Sequence, residues 1–196
     1  MFRRIIVIVA TVGCVIAVSS VAGAKTVPAG SWAPKFCSAL QSWQQKLQSD
    51  GNTAQSALSG NVSDLKGAKS QLVTFLDRSV ANTKDAVKSL QKAGAPDTPN
   101  GTKIAARFVS GLQSAQKIFA SAASKARTLS TTNLSKFEST TKGITSSLNK
   151  GGDAVTASFN QVASLDTGGK LSVVLQAEPA CAFLGGGNGS TTTTTG

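Results

Sequence analysis

Five prolines, at 28, 34, 96, 99 and 179, punctuate this 196-residue chain, and they leave residues 35–95 and 100–178 without any. Proline removes a backbone donor and its ring clashes with the preceding helical turn, so stretches this long without it permit long helices. The apolar spacing agrees. Phe36, Leu40, Trp43 and Leu47 recur at helical steps, with Pro34 near the helix start. Gly51-Asn52 is expected to end that run. A second run carries Leu58, Val62, Leu65, Leu72, Leu76, Val87 and Leu90, but Lys69, Ser79 and Thr83 interrupt its stripe. It ends at Ala93-Gly94.

Residues 94–101, GAPDTPNG, form the clearest turn: Gly94 suits a helix C-terminus, and Pro96 and Pro99 block continuation. A third helix is predicted through Ile104, Phe108, Leu112, Phe119 and Leu129. Thr131-Thr132-Asn133 makes a polar joint before a fourth run from Leu134 to Leu165, which Gly151-Gly152 is expected to kink or split. A short apolar segment, Leu171 to Leu175, precedes Pro179. No stretch alternates with period two, so strands are not expected. The sequence therefore predicts an all-α domain over 36–184, an antiparallel bundle of about four helices with short joints. Pro28, Gly30 and Pro34 mark 25–35 as a flexible lead-in. The segment 185–196, GGGNGSTTTTTG, is low in complexity and predicts a disordered tail.

The first 24 residues have the pattern of a targeting segment. Arg3 and Arg4 precede the apolar run IIVIVATVGCVIAV at 5–18, and Ala22-x-Ala24 fits a signal-peptidase site, making Lys25 the first mature residue. An uncleaved anchor, since about 20 residues suffice to span a bilayer, and a lipoprotein are the competing readings, though Thr11-Val12-Gly13-Cys14 is a poor lipobox. The sequence thus predicts a secreted or extracytoplasmic protein of the cell envelope. Loss of Arg3 and Arg4 lowers the formal charge from +11 to +9. Cys14 leaves with the signal, so Cys37 and Cys181 remain, and an exported chain with two cysteines has one internal pairing open to it. A Cys37–Cys181 disulfide would clamp the first helix to the C-terminal end.

Composition narrows the chemistry. The chain has no His, which removes the commonest general base and the commonest metal ligand, and no Tyr. No metal site or other cofactor is expected. Asp50-Gly51-Asn52 opens like a calcium loop, but the later carboxylates are absent. Asp153 and Asp166 could pair for acid–base work, though solvated or capping roles fit them better. One cluster suggests binding. Lys84, Lys88 and Lys92 share a side of the second helix, and Lys103 and Arg107 form an i, i+4 pair on the third. An antiparallel turn at 94–101 would bring Lys92 toward Lys103 and Lys88 toward Arg107. Such an end could take anionic envelope polymers or lipid headgroups. Nucleic acid is not expected as a partner, because the aromatics sit on the apolar stripe and are not interleaved with the cations.

Three short motifs carry a resemblance. Cys37, Leu40 and Trp43 near the mature start, Ala93-Gly94-Ala95-Pro96 leading to Asn100-Gly101, and Pro179-Ala180-Cys181 together resemble small exported helical proteins of actinobacteria. The resemblance covers most of 36–184. It implies an exported helical fold with a terminal disulfide, and it brings no functional residues with it. The function read from the sequence is a non-enzymatic binding or structural role at the cell envelope. A membrane-active amphipathic protein is the alternative, and a Ser or carboxylate hydrolase stands behind both.

Overall fold

A computed structural model describes residues 25–59 and 64–184. The predicted signal segment, the predicted tail and residues 60–63 lie outside them. The order is β1 (Thr26–Val27), α1 (Ala29–Ser59), α2 (Leu65–Ala93), β2 (Ala95–Pro96), α3 (Gly101–Arg127), α4 (Leu134–Leu165), α5 (Lys170–Ala177) and a 3-10 helix (Pro179–Leu184). The fold is all-α apart from the two-residue strands. α2 packs against both α1 and α3, and α4 packs on α3.

Residues 25–35, expected as a lead-in without regular structure, supply β1 and the first turns of α1. β1 runs parallel to β2, with Thr26 opposite Ala95 and Val27 opposite Pro96. Pro96 has no N–H, so the cross-strand bonds come from its neighbours: Ala95 donates to the Lys25 carbonyl at 3.1 Å and Asp97 to that of Val27 at 2.8 Å. Gly94 lies at φ +80, and a Cβ there would collide with the Lys25 carbonyl. A glycine is therefore needed at this position on two grounds, conformation and close approach.

α1 also starts earlier and ends later than the sequence predicts. It begins at Ala29 and carries Pro34 within it. A proline at an interior helical position costs roughly 3 kcal/mol. Burial of Trp32, Ala33 and Phe36 around it, each no more than 1% exposed, offsets that cost. The Trp32 indole donates to the Gly94 carbonyl at 3.0 Å, tying this turn to the end of α2. Farther on, α1 passes through Gly51-Asn52 instead of breaking. The Asp50 carboxylate is held from α2 by Arg78 at 3.2 Å and Asn82 at 2.9 Å. A helical glycine costs only about 1 kcal/mol relative to alanine, less than these anchors and the buried Ala54 return. α2 then opens on Asp64, whose side chain accepts the Gly67 N–H at 2.9 Å.

The polar interruptions in the α2 stripe have partners. Ser79 and Thr83 are fully buried. Their hydroxyls donate back to the Phe75 and Ser79 carbonyls, at 2.9 and 2.7 Å. Thr83 Oγ1 also accepts the Trp43 indole N–H at 2.9 Å, a second tryptophan bond from α1 to α2. Lys69 Nζ reaches the Leu129 carbonyl just past α3, at 3.1 Å.

Apolar side chains gather in two clusters. The larger joins Trp32, Phe36 and Leu40 of α1 to Leu90 of α2, Ile104, Phe108 and Leu112 of α3, and Leu171 of α5. Through it runs an aromatic chain: Trp32 stacks on Phe36 at 4.3 Å, Phe36 meets Phe108 at 4.5 Å, and Phe108 meets Phe159 of α4 edge-on at 5.1 Å. The second cluster, around Leu76, Ala126 and Ile144, joins α2, α3 and α4 without α1.

Candidate functional site

The two cysteines meet. Cys37 on α1 and Cys181 in the 3-10 helix are 144 residues apart in sequence, yet their Cα atoms are 5.0 Å apart and the sulfurs stand at disulfide-bonding distance. Both residues are buried, at 0% and 3% exposure. The α4–α5 corner delivers Cys181 to this point. Asp166 ends α4 with its N–H on the Val162 carbonyl. Its carboxylate then accepts the Leu171 N–H at 3.0 Å, the Ser172 N–H at 2.8 Å and the Ser172 hydroxyl at 2.7 Å. From the other side, the Asn100 side chain donates to the Leu165 carbonyl at 3.0 Å.

Partial burial of the Asp166 carboxyl opposes its ionisation. The bonds from Ser172 and Leu171 outweigh that effect together and hold the carboxyl below its ordinary value of 3.8. A depressed carboxyl contributes stability that is complete above the unfolded value and lost as pH falls through the folded one. Asp166→Asn is therefore expected to cost about 1 kcal/mol at pH 7, as loss of a charged helix cap does. Urea titrations should show that difference from the unsubstituted protein closing below pH 4. An equal difference at pH 7 and pH 2.5 would contradict a charge-dependent cap.

Asp166 is thus occupied as a cap, and Asp153 is exposed on α4. Asp50 lies inside α1 with its oxygens on Arg78 and Asn82, not at the head of a loop. Among the described residues no group of three His, Cys, Asp or Glu side chains gathers that could hold a metal, and no helix is long and apolar enough to cross a membrane.

The five predicted anion-binding residues, Lys84, Lys88, Lys92, Lys103 and Arg107, are all exposed on the packed pair α2 and α3. Lys88 faces Asp85 at 3.6 Å. A depression that carries cations lies at the other end of this pair, lined by Lys66, Lys69 and Arg127 among others. Two of those three are committed within the protein, Lys69 to the Leu129 carbonyl and Arg127 to both oxygens of Asp77 at 2.6 and 2.8 Å.

A different feature was not predicted. Between α1, α3 and α4 lies a cavity of about 300 Å³ that is open to solvent on one side, where Gly152 and Thr156 are exposed. α1 packs on α2, and α4 on α3, which leaves a gap between α1 and α4 floored by α3. Trp43 and Leu47 form one wall, Ala115, Ile118 and Phe119 the floor, and Gly151, Gly152, Val155, Thr156 and Phe159 the other wall. No ionisable side chain lines it. The one polar atom of Trp43 is already bonded to Thr83, so the indole offers only apolar surface. α4 runs unbroken past its two glycines, which differ in kind. A Cβ at Gly151 would strike the Ile118 side chain, so this glycine lets α4 close onto α3. At Gly152, which is exposed, a Cβ would meet nothing within 4 Å.

Comparison of the chain with protein-family models, with curated proteins and with solved structures finds no match.

Proposed function

We propose that the protein works outside the cytoplasm, at the cell envelope, as a binding protein and not as a catalyst. In this reading its four long helices form an antiparallel bundle closed by a Cys37–Cys181 disulfide. The cavity between α1, α3 and α4 receives the ligand. The observation that carries the proposal is the chemistry of that cavity: ten lining residues, none of them ionisable, between helices linked by the Phe36–Phe108 and Phe108–Phe159 ring contacts. Such a surface gains by excluding water from an apolar ligand and holds no group that could take or give a proton. Export is supported by the signal-like start and by two buried sulfurs at bonding distance, since disulfides persist in oxidising compartments.

A second reading rests on the exposure of Lys84, Lys88, Lys92, Lys103 and Arg107 in a chain of net positive charge. It makes the protein a ligand of anionic polymers or lipid headgroups. Salt separates the two readings, because exposed charges are screened within about 3 Å at 1 M. Binding of the apolar probe N-phenyl-1-naphthylamine should be measured at low salt and in 1 M NaCl, alongside binding to phosphatidylglycerol vesicles. The cavity reading expects probe affinity to be unchanged by salt. Vesicle binding that vanishes at 1 M NaCl, with no probe binding at either salt, would replace it with the second reading.

A further inference from the structure

We infer that α3 carries a track for one extended, unbranched polyanion, laid along the helix over Lys103, Arg107, Lys117 and Lys125. The inference rests on the second reading above, in which the protein is a ligand of anionic partners, and it adds the path and the kind of partner. α3 holds five cations and no acidic residue in its 27 positions. Four of the five are in register. Steps of 4, 3, 4, 3, 4 and 4 residues lead from Lys103 to Lys125, and the places between the cations are filled by Ser110, Ser114 and Ser121. Residues three and four apart are neighbours on a helix surface, so these side chains form one row. All of them are exposed, while Ile104, Phe108, Leu112, Ala115, Ala122 and Ala126 take the side turned to the core. At 1.5 Å per residue the row is about 33 Å long.

The row keeps its charge. Among the described residues Lys103, Arg107 and Lys117 meet no carboxylate, and Lys125 reaches only the Ser147 hydroxyl, at 3.4 Å. The fifth cation, Arg127, stands off the row, and it is the one paired with a carboxylate, that of Asp77. On α2 alongside, both acidic residues are taken, Asp77 by Arg127 and Asp85 by Lys88. The hydroxyls of Ser110, Ser114 and Ser121 make no hydrogen bond among the described residues, so they can donate to a chain crossing the gaps between cations. The shape of the row selects a chain over a surface. At about 100° per residue it stays within an arc of about 80°, roughly 7 Å wide on a helix about 10–12 Å across. A bilayer surface would also be held by buried apolar side chains. Among the described residues the exposed large apolar ones are Leu134, Val173 and Leu184, and none belongs to α2 or α3.

The test titrates the purified protein with long-chain inorganic polyphosphate, with tripolyphosphate and with phosphatidylglycerol vesicles, between about 50 and 200 mM NaCl. Four neutralised phosphates release their counterions, so polyphosphate affinity should fall about fiftyfold over that range, by the slope for single-stranded polyanions. A variant combining Lys103→Gln, Arg107→Gln, Lys117→Gln and Lys125→Gln should bind about tenfold more weakly or worse at 50 mM, with a flatter salt dependence. The control combines Lys35→Gln, Lys46→Gln, Lys136→Gln and Lys170→Gln, exposed cations of α1, α4 and α5. It removes the same charge and should keep affinity within about threefold, because the row is intact. Equal losses in the two variants would mean attraction by net charge alone and would overturn the track. Tripolyphosphate bound as tightly as the long polymer would overturn it too, since the row leaves about 15 Å between Arg107 and Lys117. If vesicles bind and polyphosphate does not, the second reading stands and the linear partner is lost; if none of the three binds, both fall.

Discussion

Replacing Cys37 and Cys181 together by alanine is expected to lower the melting temperature by roughly 10 °C. The two sulfurs, on α1 and the 3-10 helix, stand at disulfide-bonding distance although 144 residues separate them in sequence, and a bond there would close that loop. Closing a loop of that length removes about 5 kcal/mol of chain entropy from the unfolded state, as an upper value, and losing a native disulfide typically costs 2–5 kcal/mol. The structure indicates which part responds. The 3-10 helix packs mainly on α1 and α5, and Leu171 and Cys181 are the only residues of α5 and the 3-10 helix that are fully buried. Without the bond, residues 170–184 are held by little else than these contacts and the Asp166 cap. The double alanine variant leaves no lone thiol and buries no new polar atom. Calorimetry of this variant beside the oxidised protein gives the shift, and hydrogen exchange should locate the loosened amides at 170–184. Coincident melting would mean that the pair contributes nothing to stability.

Trp32→Ala should cost about 3–5 kcal/mol, the range for truncating a buried aromatic side chain. Trp32 is 1% exposed, stacks on Phe36 and satisfies the carbonyl of Gly94. It sits two residues before Pro34, so its burial is also what keeps α1 helical across a proline. Loss should therefore shorten α1 at its start as well as weaken the core, and circular dichroism should report fewer helical residues. Trp32→Phe separates the two contributions. It keeps most of the ring and strands the Gly94 carbonyl, a loss of about 1–3 kcal/mol. Urea unfolding of both variants measures the difference. A change below 1 kcal/mol for Trp32→Ala would contradict the arrangement.

Local signals placed much of this fold and missed the parts governed by distant partners. The GAPDTPNG turn and the joint at 131–133 located the end of α2, both ends of α3 and the start of α4 closely, because helix stops are written into neighbouring residues, whereas Leu58, read into the second helix, belongs to α1 and α2 starts at Leu65. Pro34 and Gly51 pointed the wrong way for the same reason. Each weakens a helix locally, and each is overruled by residues tens of positions away: Gly94 in one case, Arg78 and Asn82 in the other. The weak α2 stripe was a further instance, since Thr83 becomes a core residue only once Trp43 is beside it. That Cys37 and Cys181 come within bonding distance was legible by count alone. The cavity was not, because its walls come from three helices far apart in sequence.

Export, loss of the first segment and closure end to end by one disulfide stand or fall together in the proposed function. Non-reducing peptide mapping of the protein isolated from its native cells tests this directly. The expected result is an N-terminus at Lys25 and a linked pair of peptides carrying Cys37 and Cys181. Two alkylatable thiols on protein that still carries residues 1–24 would contradict it.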